Sequence, residues 1–170
     1  SDTDYAENGY HTFAVDGQIG ISDAQLDSVW STVAVGGQGA GGKSMFAVRL
    51  FQNTQLSPNT TQALWEVSAP AADTPSDTWN DLGYTYSRPA IARLPDNRWV
   101  AVFGNGYGSH KGKAALFVVD LETGALIREM VVDDNTGGTA AEQAVGTGLS
   151  SPELVVNAQH QIERIYAGDM

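Results

Sequence analysis

The chain repeats one pattern of apolar runs, glycines and turns, and this repeat constrains the fold more than any other feature. Three pairs of segments align, namely residues 33–39 (VAVGGQG) with 100–106 (VAVFGNG), 46–50 (FAVRL) with 117–121 (FVVDL), and 61–65 (TQALW) with 123–127 (TGALI). The copies recur after about 65–70 residues, and repeated units of a few short strands are typical of a β-propeller or a related array.

Residues 97–130 show the repeated unit most clearly. They hold three short apolar-rich runs, of which the second and third are separated by Glu-Thr-Gly at 122–124. Most residues at 99–103 and 116–121 are β-branched, aromatic or leucine, which suits a half-buried pleated strand. We therefore predict a three-stranded antiparallel meander. Because an isolated small sheet is marginal in water, it requires neighbouring copies.

The repeat divides residues 1–170 into the units of a single partial β-propeller region. These are a first blade-like unit at 11–67, a connector at 68–86, a second unit at 87–130, a loop at 131–149 and the start of a third unit at 150–170. Within the first unit we predict strands at 11–21 (interrupted by Asp16-Gly17), 29–35, 45–50 and 63–67. The predicted fold class is all-β, a propeller fragment of about two blades plus the start of a third. Two blades do not close a ring, so we expect a larger domain or an association that covers the exposed faces.

The charge of the chain excludes several classes of partner. It carries a formal net charge of −11 and no cysteine. Phosphate groups repel such a chain, so we expect no nucleic-acid partner and no anionic membrane surface. No apolar run approaches the length that spans a bilayer, so we expect no membrane insertion. No signal peptide is visible, so for an exported protein we expect the leader to lie outside this sequence.

Residues 37–44, GQGAGGKS, match the phosphate-loop pattern G-x-x-x-x-G-K-[ST] at every position. In that motif backbone amides cradle phosphates, with Lys43 on the outer phosphates and Ser44 on magnesium. The motif requires a helix to begin near the lysine. The second copy argues against a helix, because its run at 115–121 is followed at once by Glu-Thr-Gly and another strand. We predict a glycine-rich hairpin loop and keep a nucleotide-binding protein as the less favoured alternative.

Two further features leave alternatives open. Asp120 and Gly124 resemble the strand–turn signature of quinoprotein-type propeller blades, which makes a quinone-cofactor propeller enzyme an alternative function. A turn-stabilising role explains the same residues without a cofactor. The four tryptophans either pack within and between blades or form a ligand-stacking platform; they are Trp30, Trp65, Trp79 and Trp99.

Four segments together resemble a known family. They are residues 29–48 (VWSTVAVGGQGAGGKSMFAV), 87–127 (SRPAIARLPDNRWVAVFGNGYGSHKGKAALFVVDLETGALI), 148–156 (GLSSPELVV) and 164–170 (RIYAGDM). They are similar to the C-terminal, quinoprotein-like propeller of the PilY/PilC family of type IV pilus biogenesis proteins. The resemblance implies a protein at the pilus tip on the cell surface, exported via the periplasm. It implies a non-enzymatic role, without a cofactor, in pilus assembly, surface attachment and twitching motility. The implied partners are pilus subunits and minor pilins, and a host or abiotic surface.

The resemblance also implies a calcium loop of the type D-x-D-x-D-G-x-x-D, placed just before the R-[IV]-Y-A-G-D motif. The corresponding positions in this chain are Val155, Asn157, Gln159, Gln161 (through its main-chain carbonyl) and Glu163. Glu163 is the only carboxylate among them. Because calcium affinity follows ligand charge, we expect this loop to bind calcium weakly or not at all.

The partner surface is expected on loops, because loops carry function on a rigid scaffold. The candidates are the variable loops at 52–61, 70–81 and 133–148. All three are rich in polar residues, glycine or proline.

Overall fold

The computed structural model describes residues 12–53, 61–74, 76–132 and 147–169. Every regular element within these ranges is a β-strand, and the strands form three antiparallel sheets. The predicted all-β class is therefore confirmed.

The first two sheets are four-stranded meanders whose strands follow chain order, and the third sheet is a hairpin. The first comprises β1 (Ile19–Leu26), β2 (Val29–Gly37), β3 (Ser44–Gln52) and β4 (Gln62–Ser68). The second comprises β5 (Ala90–Arg93), β6 (Trp99–Gly104), β7 (Ala114–Asp120) and β8 (Leu126–Val132). The third comprises β9 (Glu153–Val156) and β10 (Ile162–Tyr166). The predicted three-stranded meander is present as β6–β8, and β5 adds a fourth strand to it.

The second sheet lies between the other two and is buried on both faces. Successive side chains of a strand point to opposite faces. Odd-numbered residues of β6 and β7, such as Phe103 and Phe117, pack in one apolar cluster with the first sheet. Even-numbered ones, such as Val102 and Leu116, pack in a second cluster with the third sheet. The rings of Phe103 and Phe117 stack with their centroids 5.6 Å apart. This two-sided burial is why both strands have almost uninterrupted apolar sequences.

The structure places most of the aligned repeat positions in equivalent surroundings. Gly36 pairs with Phe46 in the first sheet, and Phe103 pairs with Phe117 in the second. Gly39 and Gly106 both have positive φ, at 61° and 64°. Such a backbone conformation favours glycine at both positions.

The predicted alignment of residues 61–65 with 123–127 is wrong by one residue. Val48 pairs with Ala63 and Val119 pairs with Leu126, so Ala63 corresponds to Leu126. The β3–β4 ladder shifts register between Ala47 and Val48, and the β7–β8 ladder shifts between Val118 and Val119. The two irregularities occupy equivalent positions. They therefore do not cause the one-residue error, which arises because the β3–β4 turn and the β7–β8 turn differ in length.

The predicted strand at 11–21 agrees with the structure only at residues 19–21, where β1 begins. His11 lies outside the described residues, residues 12–18 are not in a strand, and the first strand is β1. The segment before β1 instead docks on the glycine-rich loop. The Asp16 amide donates to the Gln38 carbonyl at 3.2 Å, and Asp16 Oδ1 accepts from the Ala40 amide at 2.9 Å. A Cβ on Gly17 would lie 2.3 Å from the carbonyl oxygen of Gly37, so this close approach requires glycine.

Asp27 and Ser28 form a two-residue turn between β1 and β2, both with positive φ, at 47° and 65°. Type I′ hairpin turns require positive φ at both central residues and usually contain asparagine or glycine. Because neither is present here, no hairpin signal is visible in the sequence at this point. The predicted strands therefore contain only the first three residues of the polar β1.

The buried side chain of Asn105 connects four backbone groups. Its amide nitrogen donates to the carbonyls of Asp81 and Lys113, at 2.8 and 2.7 Å. Its oxygen accepts from the amides of Ala115 and Leu149, at 3.0 and 2.9 Å. Both amide protons and both lone pairs are thereby satisfied. Asn105 thus ties the connector, the β6–β7 loop, β7 and the segment before the third sheet together.

Replacement of Asn105 by alanine is expected to lower the free energy of unfolding by about 3 kcal/mol or more. It would leave several buried backbone groups unpaired, and each such group costs about 1–3 kcal/mol. Urea unfolding followed by tryptophan fluorescence measures the change. Asn53→Ala removes an exposed asparagine side chain and is expected to stay within about 0.5 kcal/mol of wild type. Equal stability of the two variants would contradict this role of Asn105.

Candidate functional site

The glycine-rich loop between β2 and β3 is a turn of the sheet, as predicted, because the chain enters β3 directly at Ser44. Its amides are already engaged within the protein. The amides of Gln38 and Gly39 donate to Thr85 Oγ1 at 2.8 and 3.2 Å. The Ala40 amide donates to Asp16 Oδ1. A phosphate group would have to displace these partners, since a phosphate loop offers its amides to the ligand.

The lysine of the same pattern is also engaged. Lys43 Nζ donates to the Gly108 carbonyl, and it lies 5.2 Å from the ring centroid of Tyr84. A cation over an aromatic face is attracted by the ring quadrupole. Lys43 therefore fastens the loop to the connector and to the β6–β7 loop. The geometry does not fit a nucleotide site.

Asp120 stabilises its own turn. Its Oδ1 accepts from the amides of Glu122 and Thr123, at 3.1 and 2.9 Å, and from the Thr123 hydroxyl at 2.8 Å. Gly124 completes the turn with φ of 71°. These contacts support the interpretation of Asp120 and Gly124 as turn residues, an arrangement that requires no cofactor.

The four tryptophans divide into two kinds. Trp65 is buried, and its indole nitrogen donates to the Leu121 carbonyl at 2.9 Å. Trp79 packs against Phe117 with ring centroids 5.4 Å apart. Trp30 and Trp99 instead meet edge to face at 5.9 Å, and Trp30 is 49% exposed. Packing thus accounts for Trp65 and Trp79, whereas Trp30 presents an aromatic surface to solvent.

A groove of about 570 Å³ lies beside the Trp30–Trp99 pair. It is lined by β1, β5 and β9, the first strands of the three sheets, and includes the carboxylates of Asp23 and Glu153. A smaller depression of about 230 Å³ lies between Trp30 and Phe51, and Asp23 borders it as well. We name the two together the tryptophan groove. It combines solvent-exposed aromatic rings with acidic side chains.

An acidic pair, of which Asp81 is buried and Glu129 is half-buried, lies where the connector meets the outer strand of the second sheet. Asp81 is almost fully buried, and its Oδ2 accepts from Lys111 Nζ at 2.9 Å. This bond raises the pKa of Lys111. Burial, and then the nearby negative charge of Asp81, raise the pKa of Glu129 above its usual value of 4.5. Glu129 is therefore easier to protonate in the folded state than in the unfolded state.

The five positions of the implied calcium loop lie at the β9–β10 hairpin. Val155 is exposed on β9, and Glu163 is exposed on β10 where the β9–β10 register shifts. Asn157 Oδ1 accepts from the amides of Gln159 and Gln161, at 2.9 and 3.0 Å. The Gln161 carbonyl, the implied main-chain ligand, accepts from the Asn157 amide at 2.9 Å. Glu163 is the only carboxylate at these positions, so the residues present do not fit a calcium ion.

Within the described ranges, no group of three or more histidine, cysteine, aspartate or glutamate residues is placed to hold a metal ion. No helix in the same ranges has the length and hydropathy needed to span a bilayer. Of the predicted partner loops, residues 54–60, 75 and 133–146 lie outside the described residues.

Sequence reasoning missed three residues that position these features, namely Thr85, Asn105 and Arg93. Asn105 had a weak signal, because Gln38, the aligned residue, also carries a side-chain amide. Thr85 and Arg93 lie outside the three aligned pairs of segments, and their side-chain hydrogen bonds reach residues more than 40 positions away. A local sequence pattern does not predict such contacts.

Consecutive antiparallel meanders stacked face to face, with their first strands side by side, define a β-propeller array. A family model described as "PilY1 beta-propeller domain" matches residues 2–170. The chain belongs to this PilY1 β-propeller family.

Individual relatives agree with the family match. The Type IV pilus biogenesis factor PilY1 of Pseudomonas aeruginosa (strain UCBPP-PA14) is 39% identical over 96% of the chain. A Type IV pilus biogenesis factor PilY1 homolog of Xylella fastidiosa (strain Temecula1 / ATCC 700964) is 41% identical over 94% of it. The chain spans only 13% and 10% of the lengths of these relatives.

A solved structure shares the fold. The crystal structure of the Pseudomonas aeruginosa PilY1 C-terminal domain superposes with a TM-score of 0.73 at 39% identity. The match covers 98% of this chain and 31% of that one. The predicted propeller fragment is therefore confirmed.

Thr85→Val is expected to lower the free energy of unfolding by about 2 kcal/mol or more. The change keeps the shape but removes the hydroxyl that accepts from two amides and donates to the Ser44 carbonyl at 3.0 Å. Thr85→Ser keeps the hydroxyl and is expected to cost about 1 kcal/mol for the lost methyl group. Chemical denaturation compares the two variants. A valine variant as stable as wild type would refute the anchoring role.

Glu129→Gln is expected to stabilise the protein relative to wild type increasingly as the pH rises. The raised pKa means that protonated Glu129 stabilises the fold fully below pH 4.5, and this contribution is lost as the pH passes the folded-state pKa. Urea midpoints between about pH 4 and pH 8 measure the difference. Glu66→Gln, at an exposed position on β4, makes the same charge change and is expected to show little pH-dependent effect. Parallel curves for wild type and Glu129→Gln would contradict the prediction.

Proposed function

We propose that this chain is a non-enzymatic part of a type IV pilus assembly apparatus, where it supports pilus assembly, surface attachment and twitching motility. The observation that carries the proposal is its membership of the PilY1 β-propeller family across residues 2–170. Relatives in two organisms are named type IV pilus biogenesis factors. In this role the protein lies at the pilus tip on the cell surface, after export through the periplasm.

The chemistry of the chain supports a binding role over catalysis. The phosphate-loop pattern has its amides and its lysine committed to protein partners. The quinoprotein-like signature has its carboxylate committed to its own turn. The residues that suggested a nucleotide-binding protein and those that suggested a quinone-cofactor enzyme therefore both have structural roles.

The proposed partners are pilus subunits and minor pilins, with a host or abiotic surface as the target of attachment. The tryptophan groove is the best candidate for a partner contact, because it exposes Trp30 and Phe51 beside the carboxylate of Asp23. Exposed aromatic side chains often anchor protein interfaces. An aromatic face beside a carboxylate favours a cationic side chain. We therefore assign the groove to a pilus-subunit segment that carries lysine or arginine.

Deletion of the gene that encodes this chain tests the general role. We expect fewer surface pili by electron microscopy, smaller twitching zones and weaker attachment of cells to a surface. Complementation with the wild-type gene should restore all three. If the deletion leaves pilus number, twitching and attachment unchanged, the proposed function is wrong.

Complementation with Trp30→Ala tests the groove separately. We expect reduced piliation at an unchanged protein level, because the substitution removes the most exposed indole of the groove. Tyr86→Ala removes an aromatic side chain of similar exposure, 46% against 49%, that does not line the groove. This control should complement fully. Equal complementation by both variants would exclude the groove as the contact surface while leaving the general role intact.

A further inference from the structure

The β9–β10 hairpin turn occupies the place where the family resemblance implies a calcium loop, and it packs on the β5–β6 turn of the second sheet. The β9–β10 turn is closed by hydrogen bonds from its own side chains. Asn157 Oδ1 accepts from two backbone amides of the turn, and Asn157 Nδ2 donates to Gln161 Oε1 at 3.0 Å. An asparagine side chain that bonds to the backbone two residues later mimics a backbone turn.

The same turn is bonded to the neighbouring sheet. Gln161 Nε2 donates to Asn97 Oδ1 at 3.0 Å and to the Pro95 carbonyl at 3.3 Å. The Arg93 amide donates to the His160 carbonyl at 3.2 Å, and its guanidinium donates to the Gln159 carbonyl. Arg93 and Gln161 also form a parallel β-bridge. The hairpin is thus fixed to the second sheet by both side chains and backbone.

These bonds use the oxygens that a calcium ion would need. Calcium takes six to eight oxygen ligands and binds more tightly as carboxylates are added. Here Asn157 Oδ1 and the Gln161 carbonyl already accept protein hydrogens. Val155 has no oxygen in its side chain, and Glu163 is the only carboxylate of the set. A calcium ion would have to displace the hydrogen bonds that backbone amides donate to these oxygens. In return it would be coordinated by only one negatively charged side chain.

We propose that an amide clasp, formed by Asn157, Gln161 and Asn97, replaces the metal ion at this hairpin. The clasp closes the turn and fastens the third sheet to the second without a divalent cation. The order of β10 therefore does not depend on calcium. This inference does not rest on the proposed pilus role, since it concerns only contacts within the chain.

Hydrogen exchange of the purified chain tests the clasp. We expect the amides of β10 to have the same protection in about 5 mM CaCl2, above the dissociation constants of weak extracellular calcium modules, as in EDTA. Calorimetric titration with CaCl2 is expected to show no binding heat. Increased protection in calcium, or saturable binding, would overturn the proposal.

Two single variants and their combination test the cross-sheet bond directly. Asn97→Gly, which tolerates the φ of 71° at this position, and Gln161→Ala are each expected to lower β10 protection about three- to tenfold, the effect of a typical hydrogen bond. Because they break the same bond, the double variant should lose less protection than the product of the two single losses. Glu163→Gln, which removes the only carboxylate, should change nothing in either buffer. Independent effects of Asn97 and Gln161, or a calcium response lost in Glu163→Gln, would refute the clasp.

Discussion

The side-chain amide of Asn105 is the interaction on which the arrangement of the sheets depends. It bonds to the connector, to the start of β7 and the residue before it, and to the segment before the third sheet, and all of its hydrogen-bonding capacity is used. Because one of these bonds goes to Leu149, the approach to the third sheet is fixed from inside the second. The two apolar clusters lie on either side of β6 and β7, next to the backbone that these bonds hold in place. A buried amide of this kind specifies an arrangement that apolar contacts alone leave loosely determined.

The repeat predicted the fold class and most strands because each unit must bury the same kinds of face. It failed where the connecting turns differ in length and where polar residues form a strand. The β3–β4 turn is longer than the β7–β8 turn, so matching Thr-x-Ala-Leu in the two copies misplaced β4 against β8 by one residue, and the Asp27-Ser28 turn concealed most of β1. Both failures have the same cause. Apolar periodicity records burial, whereas turn length and positive-φ turns are backbone features that several sequences accommodate.

The candidate sites show that a sequence motif alone does not establish a binding site, because distant residues determine which of its groups are free. The sequence of residues 37–44 fits a phosphate loop, yet Thr85, far along the chain, supplies the acceptor for two of its amides. For the implied calcium loop, the sequence correctly showed which positions lack a carboxylate. It did not show that Asn97 lies opposite Gln161, because that contact joins two turns 64 positions apart. The residue types at the implied calcium loop thus show that carboxylates are missing, and the fold shows that hydrogen bonds between side-chain amides are present there instead.

Arg93 links two features that were described separately. Its guanidinium lies over the ring of Trp99, with its carbon 5.7 Å from the centroid, and it also donates to the Gln159 carbonyl. The indole face beside the tryptophan groove and the hairpin of the third sheet therefore share one side chain. Moving the third sheet away from the second would therefore break the bond from Arg93 to the Gln159 carbonyl and shift the guanidinium over the Trp99 ring.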